Sequence, residues 1–298
     1  MTERDGTSQE ALRQGNAAPE MSVIVITPDN YETIRKIIKR LRAQNVKSRL
    51  EVVLVAPSAD GLGVDAAELN GFSQVRMVEV GAMTSTARAR AAGVRQASAP
   101  VVAFVEDHAY PANGWAEALI AAHQQPWAAV GPVMANANPH SLISWANFLI
   151  EYGQWLDPAP AGTAEHLPGH NGSYKRVMLL DYGPELEAIL AAESVLQWDL
   201  RAKGYQLYLE PAAKTYHQNF SSAFSWIPLR FHGGRLFAAS RARGWSPLRR
   251  LFYAGGAPLI PLVRLWRIVR ELRRPGRQHH LLPRVLPALV AGLAVDGV

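Results

Sequence analysis

Four short apolar runs, at residues 21–26, 50–55, 74–80 and 101–105, carry the length and β-branched content of buried strands. Helical signals separate them. Residues 31–44 place Ile34, Ile37, Ile38 and Leu41 on one face and Arg35, Lys36, Lys39, Arg40 and Arg42 mostly on the other, and residues 84–97 are rich in Ala and Arg. Strand and helix alternating in this way require a mostly parallel sheet covered by helices. This half reads as a nucleotide-binding type of α/β unit, although it contains neither G-x-G-x-x-G nor G-x-x-x-x-G-K-[ST], and an α/β fold serving another ligand stays open.

The strand at 101–105 runs straight into Glu106, Asp107 and His108. Parallel sheets bind ligands at the carboxyl ends of their strands, so these three side chains are candidates for a metal site, with a solvated loop start as the alternative. The chain has no cysteine, which leaves His, Asp and Glu as ligands and favours Mn, Mg or Zn over softer metals. At 298 residues and 48% hydrophobic it can build one large domain or two small ones.

Residues 1–20 lack apolar periodicity and an h-region and read as a disordered tail. Beyond 108 the pattern predicts a helix at 115–123, a strand at 130–134 and an aromatic-rich helix at 141–156. A Pro- and Gly-rich loop at 157–169 follows, of a length often found in active-site lids. A glycine-punctuated basic turn at 169–176 leads to a helix at 184–203 that holds Glu193 and ends at Gly204. A strand at 205–209 is then stopped by Glu210 and Pro211.

Over residues 21–235 the order of these features resembles the family 2 glycosyltransferases, whose fold is GT-A. The resemblance is carried by Pro28 to Glu32 (a Pro-x-Tyr-Asn-Glu-like turn with Asn30 and Tyr31 transposed), by Arg90 and Gly93, and by Glu106-Asp107-His108 at the Asp-x-Asp position. Asn171, Tyr174 and Arg176, then Glu193, then Gly204 to His217 complete it. It implies a metal-dependent, inverting hexosyl transfer from a nucleotide-sugar donor to an acceptor hydroxyl, on a glycan or a lipid-linked carrier of the cell envelope. It also implies Mn or Mg held by Glu106, His108 and His217, because Glu-x-His is similar to the Asp-x-His of the polypeptide N-acetylgalactosaminyltransferases, in which a later histidine completes the site. The donor would be met by Pro28, Glu32, Arg90, Glu106, Asp107, Asn171, Arg176 and Arg235. Glu193 stands as the general base where the family has a Glu-Asp pair and this chain reads Glu193-Ser194, with Asp199 as runner-up. That departure keeps a catalytically impaired binding module open, and a nucleotidyltransferase ranks below it because 27–30 lacks a basic glycine-rich loop. The family's acid after the second strand is absent, so the nucleotide base has no assigned contact.

Residues 228–298 hold 13 Arg and no Lys against only Glu271 and Asp296. Such a patch implies an anionic partner. At 257–274, Leu259, Ile260, Val263, Trp266, Val269 and Leu272 form one stripe and Arg264, Arg267, Arg270, Glu271 and Arg274 another, as an interfacial helix requires. The apolar run at 285–295 is too short to span a bilayer, which takes about 20 residues. The expected layout is a tail (1–20), a GT-A domain (21–240) and a helical, membrane-associating extension (241–298), peripheral to the cytoplasmic face of an anionic membrane. No nucleic-acid motif is present.

Overall fold

The computed structural model describes residues 11–13, 18–242 and 244–296. The chain divides into two compact units, Met1–Pro132 with Ala161–Thr215 and Val133–Pro160 with Tyr216–Val298. The strands are β1 (Ala11–Arg13), β2 (Met21–Ile26), β3 (Leu50–Ala56), β4 (Gln74–Glu79), β5 (Val101–Val105), β6 (Ala109–Pro111), β7 (Ala129–Asn136), β8 (Gly162–Ala164), β9 (Ser173–Lys175) and β10 (Leu207–His217). β7 and β10 each run unbroken from the first unit into the second.

In the first unit β4, β3, β2 and β5 lie side by side and parallel, with Met21 opposite both Leu50 and Val101. In-register parallel strands bring the segments that follow β2, β3, β4 and β5 to one edge. β3 is buried along its whole length, which explains a run of Val and Leu without polar alternation. Helices α1 (Tyr31–Arg42) and α2 (Thr86–Gln96) are started by side-chain caps. Asn30 Oδ1 accepts from the Glu32 amide and Ser85 Oγ from the Arg88 amide, both at 3.0 Å. Gly93 lets α2 close on the sheet, since a Cβ there would lie 2.9 Å from Ile24. The remaining helices of this unit are α3 (Trp115–Ala122), α5 (Arg176–Leu180), α6 (Leu186–Leu190) and α7 (Glu193–Ala202).

At the starting edge of the strands Glu51 is fully buried. It accepts from Ser22 Oγ, from the Ser98 amide at 2.7 Å and from Arg76 Nε at 3.3 Å, while Ser22 Oγ accepts the Ala99 amide at 3.0 Å. A buried carboxylate needs such partners, and these anchor the turn that feeds β5. Antiparallel β9 then pairs with β5, Ala103 opposite Ser173, and the Phe104 amide donates to Gly172 at 3.0 Å. This register carries Asn171 to the carboxyl end of β5.

Four expectations shift. The strand expected at 205–209 extends to His217, because Leu207, Leu209, Ala213, Thr215 and His217 keep burying alternate side chains on either side of Pro211. The helix expected at 184–203 is interrupted, with Ala192 extended between α6 and α7. Alanine is the best helix former, so local propensity does not account for the break; α6 packs against α2. In the loop at 157–169, residues 162–164 pair with β10 as β8, and the Gln197 side chain holds both the amide and the carbonyl of Leu167. Of the expected tail, Ala11–Arg13 pairs antiparallel with β4; 1–10 and 14–17 lie outside the described residues.

The second unit contains α4 (Leu142–Tyr152), α8 (Ala223–Arg241), α9 (Pro247–Gly256), α10 (Ile260–Leu272) and α11 (Leu282–Asp296). The apolar run at 285–295 is internal packing: α11 lies against α4, α8 and α10, with Val285, Leu289 and Leu293 buried. Arg264, expected on a solvent stripe, turns inward to Asp296 and donates to Ile150 O at 3.1 Å. Asp296 also binds Arg230 at 2.6 Å, and Arg230 pairs with Glu151. Among the described residues no helix is long and apolar enough to cross a membrane.

Candidate metal and donor site

Glu106, Asp107 and His108 form the turn between β5 and β6, at the carboxyl edge of the sheet. Glu106 is braced from β9's side: Asn171, itself buried, donates through Nδ2 to Glu106 Oε2 at 2.7 Å, and its Oδ1 accepts the Glu106 amide at 3.4 Å. The Asp107 carboxylate sits 2.5 Å from His108 Nδ1. β10 lies beside β6, with the Ala112 amide donating to Lys214 O at 2.9 Å, so three residues further along the same strand is His217. Glu106 and His108 of the first unit and His217 of the second each offer an atom of a kind that ligates metal ions.

The donor set fits a divalent cation. Imidazole and carboxylate are ligand types that divalent cations such as Mn accept. Asp107 and Asn171 supply the outer hydrogen bonds that orient such ligands. Tyr152, from α4, packs on the His217 ring with centroids 4.6 Å apart.

The other expected site residues take different places in the structure. Pro28 and Glu32 sit on the same edge, in the turn after β2 and the first turn of α1, where Glu32 pairs with Arg35. Arg90 is buried in α2 with its guanidinium over Phe104 at 5.5 Å and 2.9 Å from His170 Nδ1, next to Asn171. Arg176 caps the end of α2 through Val94 O (3.1 Å) and Arg95 O (3.0 Å), while its amide bonds Pro100 O before the start of β5. Arg235 is exposed on α8 over the Phe231 ring. Glu193 is the first residue of α7, and its side chain lies outside the described residues. Asp199 is held by the Tyr182 hydroxyl at 2.5 Å and by Lys203 at 2.7 Å; the Lys203 hydrogen bond, then that of Tyr182, keeps its carboxyl below the usual range. His170 and Asn219, which bonds His217, were missed in the sequence; both are polar residues within two positions of a candidate ligand or its brace.

The family model described as Glycosyl transferase family 2 matches residues 22–182, more than half of the chain. The chain belongs to glycosyl transferase family 2. The match covers Glu106-Asp107-His108 and Asn171 and stops before α7 and β10. Among solved structures this family 2 chain is similar to a mannosyltransferase from Pyrobaculum calidifontis in complex with GDP-Man and Mn2+. That likeness has a TM-score of 0.57 and 16% identity and covers 96% of this chain and 88% of the other. It is also similar to GalNAc-T7 with UDP, GalNAc and Mn2+ (TM-score 0.53, 12% identity, 68% and 44% covered). At these identities the likeness is one of fold, and it establishes the GT-A architecture. In sequence the chain is 23% identical, over 229 residues, to the pre-mycofactocin glycosyltransferase of two Mycobacterium tuberculosis strains; the match covers 74% of this chain. It spans about half, 47%, of the length of those relatives.

Proposed function

We propose that this family 2 glycosyltransferase is metal-dependent and inverting, moving a hexose from a nucleotide-sugar to a hydroxyl of a glycan or lipid-linked acceptor. The observation that carries the reading is the family 2 match, which covers Glu106 and His108 where they follow β5 at the sheet edge at which α/β folds bind ligands; His217 is proposed as the third ligand. A divalent cation held by those three, preferably Mn, would neutralise the charge developing on the departing nucleoside diphosphate. Asn171 fixes Glu106 toward that position and Asp107 fixes His108. Arg90, beside His170 and Asn171, adds fixed positive charge behind the site. In the transfer the acceptor oxygen bonds to the anomeric carbon, the bond from that carbon to the diphosphate oxygen breaks, and the acceptor proton passes to a carboxylate. Glu193 is the base of choice, because Asp199 is committed to Tyr182 and Lys203 and held in its weakly basic form.

The test is titration of the protein with a nucleoside diphosphate in the presence and absence of Mn. Binding that depends on Mn and is lost in His108→Ala and His217→Ala supports the reading; equal binding without metal sinks it. With turnover assayed, Glu193→Gln should lose about 10²–10⁴-fold in kcat if Glu193 takes the proton.

We further infer a peripheral seat on an anionic, cytoplasmic leaflet. Leu248, Leu251 and Phe252 of α9 are 80%, 71% and 77% exposed, and Leu259, Leu262 and Trp266 continue the row onto α10. Arg249, Arg250, Arg267, Arg270 and Arg273 are exposed around them, and 241–270 contains no acid. Apolar side chains ringed by exposed arginines match lipid headgroups over acyl chains.

A further inference from the structure

His217 can ligate a cation only through an unprotonated ring nitrogen, so which nitrogen carries its proton decides whether the site works. Neutral histidine in water favours the proton on Nε2. Around His217 the second unit builds a chain of amides that imposes the opposite choice, and two donors that cannot flip pin it from both ends.

The first is a backbone amide. The Asn138 N–H donates to Asn136 Oδ1 at 3.0 Å, which fixes Asn136 as an acceptor. The Asn219 atom 3.0 Å from that oxygen must then be Nδ2, which also donates to His217 O at 2.9 Å. The second is an indole. Trp226 Nε1–H donates to Asn147 Oδ1 at 2.7 Å, so Asn147 turns Nδ2 toward Asn219 and meets its Oδ1 at 3.2 Å. Both ends give Asn219 the same orientation, with Oδ1 facing His217 Nδ1 at 2.9 Å. The backbone of Asn219 is clamped as well, its amide donating to Asn138 Oδ1 and its carbonyl accepting from Asn138 Nδ2, both at 2.8 Å. Asn147, His217 and Asn219 are buried, so water does not offer a substitute partner. An amide oxygen can only accept, so Nδ1 must donate.

We propose that Asn219 is a positioning residue that holds His217 as its Nδ1–H tautomer and thereby directs the Nε2 lone pair to the cation. The inference rests on the reading of His217 as a metal ligand, but its first readout needs no metal. By the same logic the Asp107 carboxylate on Nδ1 of His108 leaves that ring's Nε2 as the nitrogen free of a proton, so one imidazole is backed by a carboxylate and the other by an amide.

The experiment is a long-range ¹H–¹⁵N correlation spectrum of the metal-free full chain with ¹⁵N-labelled histidine, His217 being assigned by its loss in His217→Gln. The expected wild-type pattern is protonated Nδ1 and unprotonated Nε2. Asn219→Ala should move His217 toward the Nε2–H form and weaken Mn binding by about 10-fold or more. Asn219→Asp, which keeps an acceptor opposite Nδ1, should restore the Nδ1–H pattern. An Nε2–H wild-type His217 overturns the proposal, with no variant needed. So does a folded Asn219→Ala protein with unchanged tautomer and unchanged Mn affinity. A wild-type protein that shows the Nδ1–H pattern yet binds no Mn would uphold the role of Asn219 and overturn the metal assignment instead.

Discussion

At the scale of single residues, the proposed site depends on the side chains that brace its candidate ligands. Asn171 is the clearest after Asn219: its amide meets both the carboxylate and the backbone of Glu106. Asn171→Ala leaves Glu106 without its brace and is expected to weaken Mn and nucleotide binding about 10-fold while the melting temperature moves little, read by calorimetric titration beside a thermal melt. Glu51 is the contrasting case, far from the site along the strands and entirely structural. Removing a buried carboxylate that satisfies a hydroxyl, an amide and a guanidinium costs about 3 kcal/mol, so Glu51→Ala should lower the denaturation midpoint sharply. His123 sets an acid limit. Burial holds its imidazole neutral, with the pKa pushed down to about 3, and its Nε2 is tied to Ser173 Oγ. The unfolded chain takes up that proton near pH 6.5, so the stability is present above pH 6.5 and is lost as pH falls toward 3, at up to about 1.4 kcal/mol per pH unit. Denaturation curves between pH 7 and 4 should show this slope flattened in His123→Gln.

At the scale of elements, two glycines mark where helices close on what they pack against. Gly93 seats α2 on β2 and β3. Gly292 on α11 faces the Trp226 ring, with a Cβ position 2.3 Å from the ring's edge. An indole cannot yield that distance without moving, so Gly292→Ala is expected to destabilise by about 1–3 kcal/mol. It should also disturb the Trp226–Asn147 bond on which Asn219 depends. Tryptophan fluorescence during unfolding, set beside Mn affinity, checks both effects. The strands were legible because parallel, two-sided burial writes itself as unbroken Val and Ile runs; β10 was cut short because Pro211 resembles a stop when read alone. Its alternation resumes at Ala213, Thr215 and His217, and the strand continues.

At the scale of the whole molecule, the basic C-terminal quarter sorts into two populations. Arg230, Arg264 and Arg277 are consumed in ion pairs inside the second unit, and Arg249, Arg250, Arg267 and Arg270 remain exposed beside α9 and α10. Co-sedimentation should therefore show binding to vesicles containing phosphatidylglycerol, weaker binding to phosphatidylcholine alone, and release by high salt. Leu251→Glu with Phe252→Glu should abolish it without changing the melt, since neither side chain is buried. Binding of neutral and anionic vesicles alike would contradict the charge argument. The sequence by itself determined the order of strands and helices and the arrival of Glu106, Asp107 and His108 at a strand end, because hydrophobic period and chain order are local properties. It also held the family resemblance that the match over residues 22–182 bears out. Only the tertiary structure decided which residues far apart in the chain meet. β9 brings Asn171 to Glu106, Asn219 meets the His217 ring, and Arg176 reaches the end of α2. Strand pairing and the direction of a side chain's hydrogen bonds are set by partners tens of residues away, and no local pattern of polar and apolar residues encodes them.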